Sequence, residues 1–495
     1  MYTFDPEWLA KVADLRAQGV DPFPDAAGMV ISHRAAELRA QFEGVEAPEL
    51  DGVSIGGRVM FRNHMGKAIF LRVQDGSGVI QAYVRRERVG DDVFARVKAV
   101  DIGDIVWISG SVMRTKTGEL TVLAASYRLA AKAMTPFPDR WSGVTDVQVR
   151  SRQRYVDLMM HQDSRETFLA RSRILKFIRR FFDERSYVEV ETPMLQSIPG
   201  GAAARPFVTH HNALDIPLYL RVAPELFLKR LVVGGIERVF EVNRNFRNEG
   251  ISARHNPEFT MLEFYQAWAT HHDLIQITED LLSGLAPAIT GGMVVQFGEH
   301  TIDFTPPYRR ADMDELIAER TGLSRESLAD PAEMAAFWAA AHPDWKAPLP
   351  TDRGRWWELL FEEYVERTLI APTFVTGFPA EISPLARRSD ADPSRCDRFE
   401  VIIAGWEVAN GFSELNDPVD QAGRFADQVA AHAAAKGELD ASMFFDHDYV
   451  RALSFGMPPT AGEGIGIDRL VMMLTGRTHI RDVILFPTMR PEARS

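Results

Sequence analysis

An α+β fold in two unequal parts is predicted for this chain, and three observations carry the prediction. Between residues 53 and 132, five short segments alternate apolar and polar residues, separated by turns such as QDGSG and TKTGE. Such a run suggests a small closed β-barrel. Between Phe240 and Tyr265 a second alternation returns on itself around a polar loop, as a long-looped antiparallel hairpin does. Upstream of that hairpin Ile174, Leu175, Ile178, Phe181 and Phe182 recur at helical spacing, while Arg173, Arg179 and Arg180 face away. At 495 residues the chain exceeds one ordinary core, so two or three domains are expected. The boundaries read as an N-terminal helical segment at 1–50, the barrel at 51–140 and a larger domain at 141–495.

Composition narrows the function classes. Hydrophobic content of 46% and charged content of 25% are ordinary for a soluble globular protein. No apolar run approaches the roughly 18–20 residues of a membrane span. The N-terminus, MYTFDPEWLAKV, lacks the basic-then-apolar order of a signal peptide. A single cysteine, Cys396, leaves no internal disulfide and no multi-thiolate zinc site. The expected location is cytoplasmic. The net charge of −13 argues at first against a nucleic-acid partner, but it is unevenly spread. Residues 53–132 carry 13 Lys and Arg against 7 Asp and Glu, a balance of +6 that leaves −19 for the remainder. A basic module on an acidic body is expected where one part meets phosphates, although a small domain also reaches such an excess by chance.

In chain order, residues 1–50 mix short helical patterns with Pro and Gly and carry no functional signal. The barrel segments are VSIGGRVMF, AIFLRVQD, GVIQAYV, DIVWISGSVM and ELTVLAASYRL. A five-stranded Greek-key barrel is the OB-fold, which binds single strands by stacking bases on aromatics beside a basic groove. Phe70 lies beside Lys67 and Arg72, with Arg62 one strand earlier and Gln81 one strand later. It is either a core residue or a stacking platform. The Pro-punctuated AMTPFPDRWSG closes the barrel. The helix of the second domain ends near Ser186, a strand YVEVE follows, and Pro193 stops it. GGAAARPF (200–207) permits tight backbone approach. APEL then opens a helix with Glu225 in its first turn, where a carboxylate complements the helix dipole.

The hairpin crowds Arg244, Arg247, Glu249, Arg254, His255, Glu258 and Glu263 into one segment with apolar flanks. This is either a built charge constellation or a solvated loop with incidental ion pairs. Residues 270–350 show helices and Pro-rich loops without a motif. Trp356 through Leu369 read as a helix, followed by a strand in PTFVTGF. In GWEVANGFSELND, Glu407 and Glu414 are seven residues apart, which on a regular strand puts them on opposite faces. A bulge near Gly411 would bring them together. In AGEGIGIDRLVMML a Gly-rich turn leads into an apolar helix with Arg469 in its first turn. A cation there opposes the helix dipole, which suggests an anionic partner. Neither GxGxxG nor GxxxxGK[ST] occurs, so any ATP site is of another kind.

Taken together, these segments resemble the three motifs of class II aminoacyl-tRNA synthetases. The helix and strand ending at Pro193 look like the first, FRNEG…RHNPEFTMLEFY the second and GEGIGIDRL the third. GGAAARPF, APELFLKRL and NGFSELND match the lysyl branch, and the barrel stands N-terminal as in the aspartyl, asparaginyl and lysyl subgroup. One departure is Glu463, where many members carry an apolar residue. The resemblance implies an OB-fold anticodon-binding domain and a class II catalytic domain, an antiparallel sheet flanked by helices. It also implies a homodimer joined through the helix ending near Ser186 and the strand to Pro193, with that helix's apolar stripe buried against its symmetry mate, and lysine, ATP with Mg2+, and tRNA(Lys) as partners.

The same resemblance implies roles. Arg247 bridges the α-phosphate and the substrate carboxylate, and Arg469 holds the γ-phosphate; these two are the catalytic residues. Glu249 contacts the adenine amino group, Phe259 stacks on the ring, and His255 lies near the outer phosphates. Glu407 and Glu414 ligate magnesium. Glu225 and the Gly201 carbonyl take the α-ammonium of lysine, and Arg247 with Asn410 its carboxylate. Glu263, Glu414 and the Tyr265 hydroxyl surround the ε-ammonium. In the barrel Phe70 stacks with the central uracil, while Arg62, Gln81 and Glu119 read base edges.

The residues give one independent argument for lysine. The implied pocket is rich in acids, whereas an aspartyl enzyme needs a cation there and an asparaginyl enzyme does not need this many carboxylates. A neutral side chain of similar length would leave a buried carboxylate unpaired, at a cost of about 3–5 kcal/mol. The rival readings are another ligase of the same fold, or a catalytically dead RNA-binding homologue.

Overall fold

A computed structural model describes residues 3–138, 144–202, 204–436 and 445–491. Residues 139–143 of the expected linker and Ala203 of GGAAARPF fall outside it. The chain divides into two units, Met1–Gly143 and Val144–Ser495.

In the first unit five strands close a barrel in the order β1-β2-β3-β5-β4. They are β1 (Leu50–Met65), β2 (Ala68–Gln74), β3 (Val79–Arg85), β4 (Ile105–Arg114) and β5 (Leu120–Ala131). Alternation is what fills the barrel. Ile69, Leu71 and Val73 of β2, with Ile80, Ala82 and Val84 of β3, are buried, and the residues between them point outward. Helices Arg86–Val89 and Asp91–Lys98 intervene between β3 and β4. The strand pattern gave no sign of them.

The second unit is built on an eight-stranded sheet of order β14-β15-β16-β17-β18-β11-β10-β6. In chain order its strands are β6 (Val188–Glu189), β10 (Arg238–Phe246), β11 (Glu258–Ala267), β14 (Arg309–Asp312), β15 (Thr373–Thr376), β16 (Arg398–Ile403), β17 (Trp406–Ser413) and β18 (Thr460–Gly466). A smaller sheet joins β7 (Leu195–Gln196), β8 (Val208–His211) and β9 (Ile216–Leu220), and β12 (Val294–Phe297) pairs with β13 (His300–Asp303). Most neighbours in the large sheet are antiparallel; β6 on β10 and β14 on β15 are parallel.

One face of the sheet is apolar. Phe240, Leu262, Phe264, Phe399, Val401 and Ile465 meet helices Gln162–Asp183, His271–Thr290 and Ile467–Thr475. The stripe Ile174, Ile178, Phe181 and Phe182 is spent there, with Phe182 stacked on Phe240 and tilted against Phe264. This corrects the expectation that the stripe packs against a symmetry mate: an apolar face satisfied inside its own chain has nothing left to bury. The motif-poor stretch after residue 270 supplies β14 and helices Met313–Thr321 and Pro331–Ala341. Together with helix Arg353–Tyr364 these form a separate core around Trp338 and Trp356.

A second correction concerns AGEGIGIDRL. Its glycines do not form a turn but the central strand β18, paired with β11 on one side and β17 on the other. Alternation places Gly462, Gly464 and Gly466 on the face opposite the helices. Among the described residues no helix is long and apolar enough to cross a membrane.

Candidate active site

The face opposite the helices forms the floor of the site. Register settles its members: Glu263 pairs with Gly464 and Tyr265 with Gly462, and Asn410 pairs with Gly464 from the other side. Three glycines on the middle strand leave a trough between flanking side chains. A Cβ at Gly462 would collide with the Tyr265 ring and Glu414 Oε1, and one at Gly464 would lie 3.0 Å from Met261 Cε.

At one end of the trough three carboxylates converge. Glu263 is buried, accepts a hydrogen bond from Asn245 Nδ2 at 3.4 Å and lies 3.5 Å from the Tyr265 hydroxyl. Burial, reinforced by Glu225 and Glu241, pushes its carboxyl up to about 8. Glu225 opens the helix Glu225–Val233, and Glu414 follows the end of β17. Both are buried and share a partner absent from the sequence reading, Lys229. Burial alone would lower the Lys229 ammonium, but Glu225 and Glu414 outweigh it and hold it charged. Gly201 takes a positive φ of 89°, and a Cβ there would lie 3.0 Å from the Glu225 Cβ. Beneath the cluster, Arg221 and Glu241 form a buried pair at 2.7 Å.

Arg247 stands at the edge of this cluster. Its backbone N–H bonds Pro257 O at 2.8 Å, which fixes the base of the hairpin loop. Its guanidinium lies 5.1 Å from the Phe259 ring, and its Nε is buried without a hydrogen-bond partner. Arg469, in the first turn of helix Ile467–Thr475, donates to the Glu407 carbonyl and lies 3.5 Å from the Glu407 carboxylate. It also lies 3.1 Å from His255 Nε2. A guanidinium only donates, so Nε2 is the acceptor and the ring proton sits on Nδ1, facing Ser252 Oγ at 2.9 Å. Burial, then Arg469 and Arg254, lowers the His255 ring, keeping it neutral. Glu249 is exposed on the loop. Asn410 Oδ1 accepts from Arg398 Nε at 3.2 Å.

The two candidate metal ligands part company. In β17 a bulge falls at Val408, not Gly411: Val401 faces Ala409 and Ile402 faces Glu407. The extra residue turns Glu407 onto the face of Asn410, as the sequence reading required. Yet Glu414 lies with Lys229, Glu225 and Glu263, whereas Glu407 lies with Arg469 and with Glu400 and Glu366. Glu400, two residues before Ile402 on β16, was missed. Burial raises its carboxyl to about 7 against the opposing pull of Arg398, with Glu407 adding to the rise. Glu400 and Glu407 thus form a second carboxylate pair on this face, apart from Glu414. Glu400 sits in no motif, and only the pairing of β16 with β17 exposes it.

In the barrel unit, Phe70 is not core. It points outward beside Ile69 and Leu71, which point in, and its ring stacks on Tyr83 with centroids 4.5 Å apart. Gln81, on the same face, donates to Thr121 Oγ1 at 2.9 Å. Glu119 pairs with Arg39 at 3.1 Å. Arg62 is not on this face. Its cross-strand partner is the buried Leu71, and its guanidinium reaches the carbonyls of Lys98 and Val100. Tyr83 could have been found from its two-residue spacing to Gln81.

Comparison with known proteins matches both units to known families. Residues 146–490 match the family model "tRNA synthetases class II (D, K and N)", and residues 53–130 match that of the OB-fold nucleic acid binding domain. The chain is 53% identical over 466 residues to the lysine–tRNA ligase of Dichelobacter nodosus, covering 93% of this chain and 92% of that one. It is 51% identical over 489 residues to the Escherichia coli K12 lysine–tRNA ligase (97% and 95% covered). Against the Carboxydothermus hydrogenoformans lysine–tRNA ligase it is 49% identical over 487 residues (98% and 97%).

Proposed function

The chain belongs to the class II tRNA synthetases of the D, K and N group, and from that premise we propose that it is a lysine–tRNA ligase. It activates lysine with ATP and passes the lysyl group to the 3′-terminal adenosine of tRNA(Lys). The observation that carries the choice of lysine is the buried cluster of Glu225, Glu263 and Glu414 on one trough, with Arg247 at its edge.

No enzyme nucleophile is needed. A carboxylate oxygen of lysine attacks the α-phosphorus of ATP, the bond to the bridging oxygen breaks and pyrophosphate leaves. A terminal ribose hydroxyl then attacks the adenylate carbonyl and AMP departs. The protein's work is positioning and charge stabilisation. Arg247 grips the α-phosphate and, with Asn410, the substrate carboxylate through forked donors. Its unpartnered Nε and its place over Phe259 support that role. Phe259 stacks on adenine, Glu249 takes its amino group, and Arg469 and the neutral His255 hold the outer phosphates. Glu225 and the Gly201 carbonyl bind the α-ammonium; Glu263, Glu414 and Tyr265 bind the ε-ammonium.

Magnesium would be held by Glu400 and Glu407. Two carboxylates on one sheet face, one of them raised by burial with the other's charge adding to the rise, would suit a hard divalent cation. The ion, when bound, neutralises charge on the triphosphate.

In the barrel unit, Phe70 and Tyr83 supply a stacking platform for anticodon bases, with Gln81 beside it and Glu119 free to exchange Arg39 for a base edge. The active form is a homodimer. Exposed Val188, Met194, Leu195, Val208, Leu214 and Ile216, on and around β6 to β9, support a hydrophobic interface there. The protein works in the cytoplasm, beside its ATP and tRNA.

ATP–pyrophosphate exchange with each of the twenty amino acids tests the reading. Exchange with lysine alone is expected. Exchange with aspartate or asparagine but not lysine would move the chain to another ligase of the group, and none at all would make it a catalytically dead homologue.

A further inference from the structure

The pocket assigned to lysine already contains an ammonium of the protein's own. Lys229 lies four residues after Glu225 on one helix, so the two side chains stack on the same face. It is fully buried, its Nζ bonds Glu225 Oε1 and pairs with Glu414 Oε2, and the Phe412 ring centroid is 5.3 Å away. Each carboxylate therefore has one oxygen committed to Lys229 and one left over. Glu225 Oε2 faces Gly201, where a Cβ would stand 3.7 Å from it. Glu414 Oε1 is buried without a hydrogen-bond partner and faces Gly462 and Tyr265.

Those two remaining oxygens point toward the places assigned to the two substrate ammoniums. A free carboxylate could swing to follow a shorter or longer diamine; one anchored by a buried cation cannot. The charge count agrees. Three carboxylates and one internal ammonium leave two negative charges, one for each ammonium of lysine. Without Lys229 a substrate would leave one buried carboxylate uncompensated.

We propose that Lys229 is a positioning residue that sets specificity: it clamps Glu225 and Glu414 so that their free oxygens are spaced for the α- and ε-ammonium of lysine. This rests on the lysine reading above, and the experiment separates the two. Wild-type enzyme is first assayed for ATP–pyrophosphate exchange with lysine; silence there defeats the lysine reading itself. With exchange established, kcat/KM is measured for lysine and for the diamino acid one methylene shorter, in wild type and in Lys229→Met. A clamp predicts that the preference for lysine over the shorter homologue falls at least fivefold. A merely structural role lowers both values alike, and a preference that falls less than fivefold overturns the proposal. Should Lys229→Met not fold, Lys229→Arg decides by the same threshold. It keeps the cation but spreads it over a planar fork that cannot bridge the two oxygens at the same spacing.

Discussion

If Glu263 takes the ε-ammonium as proposed, lysine binding is coupled to a proton. The Glu263 carboxyl, pushed up to about 8 by burial and by Glu225 and Glu241, is neutral in the empty pocket at pH 7. An ε-ammonium at 263 needs the carboxylate, so binding must expel that proton. The group is held protonated in the free protein, so affinity is weakest at low pH and strengthens as pH rises through about 8. At close to tenfold per pH unit well below that value, the lysine Kd should fall roughly fiftyfold between pH 6 and 8 and then level off. Glu263→Gln removes both the proton and the counter-charge. Its pH profile should be shallower, keeping only what Glu414, raised to about 8 chiefly by burial, contributes; at pH 8 lysine should bind about a hundredfold more weakly, some 3 kcal/mol, with ATP binding unchanged. Titration calorimetry at pH 6, 7 and 8, in two buffers of different ionisation enthalpy, reads both the Kd and the proton count. A flat wild-type profile with no proton released at pH 6 would refute the coupling. The full wild-type slope surviving in Glu263→Gln would place the titrating group elsewhere, Glu414 first.

On the helix face of the same sheet, Glu463 is buried with one partner, Thr278 Oγ1 at 2.6 Å, and burial raises it to about 8 from 4.5. A carboxyl raised by folding stabilises when protonated, and that stability is lost as pH climbs from about 4.5 toward 8. Glu463→Leu should therefore gain about 3–4 kcal/mol on wild type between pH 5 and pH 8. For a unit spanning 144–495 this is about 5 °C in the thermal midpoint; a difference that does not change with pH would show that Glu463 is not the group responsible. Phe70→Ala, in the barrel unit, should leave pyrophosphate exchange intact while slowing tRNA charging about five- to 150-fold, through loss of about 1–3 kcal/mol of base stacking. Loss of exchange as well would make the barrel residue structural.

Much of this protein is written locally. Period-two alternation marked all five barrel strands and both strands of the hairpin 238–267, and helical spacing marked the stripe from Ile174 to Phe182. Motif residues such as Arg247 and Arg469 were legible because their neighbours fix them: a loop base and a helix first turn. Local pattern failed where partners come from distant strands. The glycines of β18 looked like a turn, since nothing nearby shows that Tyr265 and Asn410 will close over them from either side. Glu400 and Lys229 carried no sign of their roles. A one-residue bulge at Val408 chose the face for Glu407, and sheet order chose its companion. Sequence alone determined the barrel strands, the hairpin and the long apolar-striped helix, the basic barrel and the acidity of the pocket, because side-chain period and charge are properties of neighbouring residues. Tertiary structure decided which carboxylates lie beside Lys229, which beside Arg469 and which face the helices, because that depends on burial and on charges brought close from strands far apart in the chain.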